Sequence, residues 1–239
     1  MGDVLERDEA YSDELATLLD DRAATYALLA RLLASEVDAD LLSGLVGMAF
    51  PEDAGNPAID EGSRLMNGYL RQAASRQGDD VVTELAVDFC RLFVVRRRNE
   101  KDAAYPFESV YTSTEHTTMA GARDDVRTIY RAAGFEKDEN LHIGDDHIAL
   151  ELEYMAEVAR QTAEAARGSE ALGGQLAGGR LALQAAFLDS HLLNWVPRFS
   201  DAMERHAQTD FYRGLAHFLT GYLEDNRALL GELAAGETA

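Results

Sequence analysis

Apolar side chains recur along most of this chain at intervals of three and four residues. Nowhere do they alternate over a stretch long enough for a strand. From Ser12 to Ser35 the apolar positions are Leu15, Leu18, Leu19, Tyr26, Leu29, Leu32 and Leu33, which predicts a long amphipathic helix with acids at its start. A short helix is predicted over Ala39–Met48. Phe50–Pro57 holds two prolines and a glycine and reads as a loop. A helix over Asp60–Arg76 follows, and Gly78-Asp79-Asp80 breaks and recaps the chain. Val82, Leu85, Ala86, Phe89, Leu92 and Phe93 then form one continuous stripe. A helix over Ala122–Ala133 ends at Gly134, a residue suited to the left-handed position after a helix. Past a polar, acidic linker over Phe135–Gly144, Asp145 or Asp146 is expected to cap a helix running to Arg167. Further helices are predicted near Arg180–Leu193, Pro197–His206 and Asp210–Glu224, with Pro197 in a first turn.

The pattern predicts an all-α fold of about ten helices, as a single domain or two closely packed helical halves. The expected organisation is an N-terminal extension over 1–11 and a helical core over 12–167. A glycine-rich linker follows over 168–179, with five glycines, then C-terminal helices over 180–225 and a frayed tail over 226–239. The linker would permit exchange of the C-terminal helices between chains, so both monomer and homodimer stay open.

An apolar fraction of 46% over 239 residues supports a real core. The net charge of −21 argues against nucleic-acid binding, which needs a basic face. Lys101 and Lys137 are the only lysines; the remaining cations are arginine. An acidic, lysine-poor surface resembles adaptation to high salt, where counterions screen carboxylate repulsion. Unequal stability to urea at low and molar salt is the expected sign of it. Cys90, the only cysteine, sits in an apolar stretch and is expected to be a buried thiol. The acidic N-terminus lacks a signal-peptide pattern and no apolar run spans a bilayer, so the expected location is the cytoplasm, with no stable membrane insertion.

Two segments carry more unusual residues than packing requires. One is Tyr105-Pro106-Phe107-Glu108-Ser109-Val110-Tyr111, an extended loop because proline forces Tyr105 out of helical geometry. It either closes over a core or, with Phe89, Leu92 and Phe93, lines a groove for a peptide. The other is Asp145-Asp146-His147-Ile148-Ala149-Leu150-Glu151, the start of a helix. His147 and Glu151 share a face at i, i+4. With His142 nearby they still fall short of the three or four ligands a metal needs. The plain alternative is a capping Asp and a histidine bonded to a neighbouring loop. There is no nucleophile elbow and no phosphate-binding loop.

The ordered set of these motifs resembles the TorD/DmsD/NarJ family, cytoplasmic chaperones that mature molybdenum-containing respiratory oxidoreductases, and sits closer to TorD/DmsD. The resemblance rests on Phe89-x-x-Leu92-Phe93, Pro106-Phe107-x-Ser109-Val110-Tyr111 and Asp124-Asp125-Val126 through Tyr130 to Gly134-Phe135. It continues in Asp146-His147-Ile148-Ala149-Leu150-Glu151-Leu152, Phe187-Leu188-x-x-His191-x-x-x-Trp195-x-x-x-Phe199 and Phe211-Tyr212-x-x-Leu215-Ala216. Two departures stand out: Gly144-Asp145 replaces a hallmark proline before Asp146-His147, and Phe107 stands where some members carry tryptophan.

The resemblance implies no catalytic role, no cofactor and no metal. It implies binding of the twin-arginine signal peptide, or of the apo catalytic subunit, of a molybdopterin oxidoreductase of the DMSO/TMAO reductase type. The client would be held until cofactor insertion and then exported. Asp146, Glu151 and nearby carboxylates would pair with arginine. Phe89, Leu92, Phe93, Pro106, Phe107 and Tyr111, with Ser109 and His147 beside them, would take the apolar stretch. A NarJ-like chaperone of a folded nitrate-reductase-type subunit is the near alternative. An enzyme, metal-dependent through His147 and Glu151 or acting on nucleotides, and a plain helical scaffold are the others.

Overall fold

Helices supply the regular structure of the computed structural model, which describes residues 2–94, 103–113, 121–137, 143–167 and 170–236. In chain order they are α1 (Gly2–Ala34), α2 (Ala39–Val46), α3 (Pro57–Ala73), α4 (Gly78–Phe89), α5 (Glu108–Thr112), α6 (Gly121–Ala132), α7 (Ile148–Ala166), α8 (Glu170–Phe187), α9 (Val196–His206) and α10 (Asp210–Gly236). Wider π-helical turns extend α4 over Cys90–Val94 and α8 over Leu188–Leu192. No strand forms among the described residues; an isolated bridge pairs Phe107 with His147. The all-helical, single-domain expectation holds.

Local chemistry explains several boundaries. Asp38 caps α2 by accepting from Leu41 N at 2.8 Å. Asn56 caps α3 by accepting from Ala58 N at 2.9 Å, with Pro57 in the first turn where its missing N–H costs nothing. Gly134 has φ 69° and closes α6 as the sequence predicts. Phe135 N donates back to Tyr130 O at 2.9 Å, and the two rings pack at 5.0 Å.

The packing joins helices that are distant in sequence. α1 lies along α7, α3 lies along α10, and α8 touches both α7 and α10. Glycine sets the α3–α10 crossing: a Cβ at Gly214 would meet Gly62 O at 2.5 Å, and one at Gly62 would meet Phe218 N at 2.5 Å. The backbones therefore touch directly. α1 reaches α10 through Arg22, whose Nε donates to Asn226 Oδ1 at 2.6 Å, and through the Tyr26–Tyr222 ring pair at 5.2 Å. The buried Asp88 ties α4 to the start of α10. Its carboxylate accepts from Gln208 N, Thr209 N and the Thr209 hydroxyl at 3.0, 2.7 and 2.8 Å.

Several expectations need correction. α1 begins at Gly2 rather than near Ser12. α8 begins at Glu170, so most of the supposed glycine linker is helical. Its Ala177 and Leu181 are buried, and packing against α7 and α10 outweighs the weak propensity of glycine. The supposed tail from Asn226 continues α10 to Gly236. Leu230 is 1% exposed, and Asn226 is held by Arg22. Cys90 is half-buried rather than buried, and its thiol donates to Glu36 Oε1 at 3.0 Å. Residues 95–102, His142 and the last residues of the expected tail lie outside the described residues.

Candidate functional site

The two unusual segments meet. Ile148 N donates to Pro106 O and Glu108 N donates to Asp146 O, both at 2.9 Å. This short antiparallel contact lays the loop 103–107 and α5 against the start of α7. Ala104 N donates to Leu92 O at 3.2 Å, which fixes the other end of the loop to the π turn after α4.

Asp146 is not the cap of α7. Its Oδ2 accepts from the Ser109 hydroxyl at 2.5 Å and from Ser109 N at 3.2 Å. It thus caps α5 across the contact, a position where the helix dipole also favours a carboxylate. His147 is the cap of α7: its Nδ1 accepts from Ala149 N at 3.1 Å. That bond needs an unprotonated Nδ1, and burial agrees by pushing the imidazole pKa down to about 4. The ring of Phe107 meets the imidazole edge-on at 4.9 Å. Asp145 faces cations instead, with Arg123 Nε at 2.9 Å and Lys137 Nζ at 3.7 Å.

Beneath this contact lies a buried carboxylate pair. Glu151 is 0% exposed; its Oε2 accepts from Trp195 Nε1 at 3.2 Å, and its Oε1 has no partner among the described residues. Burial first, and then the charge of Glu108, push the Glu151 carboxyl well above the usual carboxylate range. Glu108 Oε2 lies 3.1 Å from His191 Nδ1, and its Oε1 accepts from Asn194 at 3.4 Å. Tyr111 stacks on Trp195 at 5.4 Å, and Arg198 donates to Tyr111 O at 2.7 Å.

The apolar half of the prediction connects through Phe199. Phe93 lies 6.0 Å from Phe199, Phe199 lies 6.3 Å from Tyr111, and Phe89 and Phe93 pack at 5.0 Å. All ten singled-out residues therefore belong to one contiguous assembly. It is closed: Phe89, Leu92, Phe93, Pro106, Ser109, Asp146, His147 and Glu151 are buried, and Phe107 and Tyr111 are half-buried. No group of three or more His, Cys, Asp or Glu side chains among the described residues is placed to hold a metal ion. No described helix is long and apolar enough to cross a membrane.

Sequence reasoning did not single out Glu108, His191, Asn194 and Trp195 as part of this centre. The signal was present in the i, i+4 spacing of His191 and Trp195 and in the acid inside the aromatic loop. What was missing was the fold that brings α8 and its π turn under α5.

Fold and site together define a helical protein in which a proline loop is latched onto the start of a helix over a buried acid–histidine–tryptophan centre. The chain belongs to the nitrate reductase delta subunit family, whose model matches residues 56–201 and so takes in the whole of this centre. Relatives include the chaperone protein TorD of Vibrio cholerae serotype O1, 29% identical over 169 residues, 69% of this chain and 71% of that one. The TorD chaperones of Aliivibrio salmonicida and Vibrio parahaemolyticus are each 26% identical. They cover 92% of this chain, with 100% and 99% of their own lengths aligned. The family resemblance read from the motifs is thereby shown.

Proposed function

We propose that this protein is a maturation chaperone for a molybdopterin oxidoreductase of the DMSO/TMAO reductase type. It binds the twin-arginine signal peptide of the client, its apo catalytic subunit, or both. It holds the client until the cofactor is inserted and export follows, and it acts in the cytoplasm. The observation that carries this reading is end-to-end alignment with proteins named as TorD chaperones, rather than a match to one shared segment. The description of the family model favours a second reading, a chaperone of a folded nitrate-reductase-type subunit.

The ten assembled residues suit this role as a gated centre. Glu108, Asp146 and Glu151 place three carboxyl groups around one short contact, bonded to His191, Ser109 and Trp195 and in no arginine or lysine ion pair among the described residues. A guanidinium that reached them would form bidentate, charge-assisted bonds. Reaching them requires α5 and its loop to lift from α7, which breaks the Ser109–Asp146 contact. Phe107 and Tyr111 would then face an apolar stretch, with Phe89, Leu92 and Phe93 behind them.

Calorimetric titration tests the reading. The titrants are the signal peptide of a neighbouring molybdoenzyme, a twin-lysine version of it, and the apo catalytic subunit with and without its signal sequence. Saturable peptide binding that weakens with twin lysine is expected. Binding only of the subunit, indifferent to its signal sequence, would select the second reading. No binding of either would end both.

A further inference from the structure

With the latched centre closed, the open apolar surface lies elsewhere. A cavity of about 480 Å³ sits between α1, α3, α10 and the segment 48–54. That volume falls within the range of pockets that bury ligands, roughly 300–1,000 Å³. Leu29, Leu32, Ile59, Met66, Leu215 and Phe218 form its buried floor. A second cavity of about 670 Å³ lies on the other side of the same segment, and Met48, Ala49, Phe50 and Pro51 line both. The dividing wall is firmly built. Asn67 accepts from Phe50 N at 3.1 Å and donates to Phe50 O at 2.9 Å, and the Phe50 ring meets Phe218 at 5.8 Å.

The two cavities differ in chemistry. The first is mostly apolar, with Thr25, Asp225 and Asn226 the polar side chains in its lining; Asp225 accepts from Asn56 at 2.6 Å. The second carries Glu52 and Asp53 at its edge, against one cation, Arg71. Glu52 Oε1 accepts from Asn67 Nδ2 at 2.8 Å and meets Arg71 only loosely, at 3.6 Å and in the open; Asp53 is exposed with no ion pair among the described residues. Met48 and Val46, 48% and 38% exposed, stand at the mouth. Large apolar side chains open to water beside a preformed cavity mark an interaction surface.

We propose that this double groove is where a segment bearing adjacent arginines followed by apolar residues first docks. Its guanidinium groups face Glu52 and Asp53, and its apolar side chains enter the 480 Å³ cavity. The assignment rests on the reading of the protein as a signal-peptide chaperone. The order of the groove matches the order of such a segment, with the Glu52–Asp53 edge beside a mostly apolar cavity whose carboxylate, Asp225, is already held by Asn56, and Arg71 is an exposed ion the incoming guanidinium displaces.

The test is fluorescence anisotropy with a labelled synthetic peptide carrying two arginines and then an apolar stretch, and with its twin-lysine counterpart. Met48→Glu and Leu28→Glu are each expected to weaken binding at least tenfold. Asp53→Lys is expected to shrink the preference for arginine over lysine. Leu183→Glu, at an exposed apolar position on α8, should leave affinity within twofold. A photo-crosslinking residue at position 48, on the wall between the two cavities, should capture the peptide. Wild-type binding that survives all three groove variants and is lost in Phe107→Ala would overturn this assignment and leave the chaperone reading standing. A dimer that Met48→Glu dissociates, with peptide affinity unchanged, would give the groove to a second copy of the chain and also overturn it. No wild-type binding to the peptide would remove both this site and the signal-peptide reading beneath it.

Discussion

Replacing Asp146 by alanine should loosen the latch between α5 and α7 by an amount the structure lets one work out. The carboxylate is 1% exposed and accepts from the Ser109 hydroxyl at 2.5 Å and from Ser109 N at 3.2 Å. Hydrogen bonds to a charged group contribute roughly 1.5–3 kcal/mol each, partly offset by the cost of burying the charge. Alanine also leaves the buried Ser109 hydroxyl and N–H without a partner, which adds to the loss. The expected destabilisation is about 3 kcal/mol. In a chain of this size that lowers Tm by roughly 6–12 °C. Urea unfolding measures it directly, and Ser109→Ala alone should cost about 1–2 kcal/mol. Because the two side chains act through one contact, the double variant should lose at least about 1 kcal/mol less than the sum of the singles. Hydrogen exchange should speed at Ser109 and Val110 more than along α3 or α10. A loss under about 0.5 kcal/mol, or strictly additive singles, would refute the latch. Any fall in client affinity in Asp146→Ala must then be read against this loosening.

His147→Asn keeps a side-chain acceptor at the α7 cap and removes the imidazole. The folded pKa near 4 lies below the unfolded value of 6.5, so stability from this group is full above pH 6.5 and lost as pH falls toward 4. The variant should lack about 3 kcal/mol of that acid-side decline, seen as a flatter stability profile from pH 6.5 to 4. Glu151 behaves oppositely: its folded pKa is raised, so its contribution is full below the unfolded value near 4.5 and lost as pH rises toward the folded one. Glu151→Gln should therefore match or exceed the wild type in stability at pH 8, and a clear loss there would show that the ionised carboxylate is required. Gly214→Ala drives a methyl group to within 2.5 Å of Gly62 O and should cost about 2–3 kcal/mol by thermal melting, whereas Gly68→Ala, with open space around it, should be neutral or stabilising.

The apolar stripes made the helices legible because a helix that buries one face must repeat near 3.6 residues. Gly134 likewise announced the end of α6 through local chemistry, whereas Asn56-Pro57, read as loop, caps and opens α3 three residues before the predicted start at Asp60. What misled were stretches where a distant partner decides. The glycines of 170–179 read as a linker until α7 and α10 are seen beside them, and Asn226 reads as polar tail until Arg22 is placed against it. The site shows the same divide. That the Tyr105–Tyr111 and Asp145–Glu151 segments were special could be read from composition. Which acid caps which helix could not, because Asp146 serves α5 across the chain while His147 takes the local role. Closure was equally hidden, since a stripe of Phe89, Leu92 and Phe93 looks the same whether it faces a groove or Phe199.

The pairing of α3 with α10 reaches back to how the chain is made. A ribosome finishes α3 at Ala73 and begins α10 at Asp210, 137 positions later (210 − 73). At roughly 5–20 residues per second, the face carrying Ile59, Met66 and Leu70 waits about 7–27 s for its cover. Nothing nearer in sequence can substitute, because the contact is made backbone to backbone through Gly62 and Gly214. A premature stop before Gly214 would leave that face bare. Nascent chains therefore stay unfinished until α10 is made, and they expose this apolar face while still attached to the ribosome.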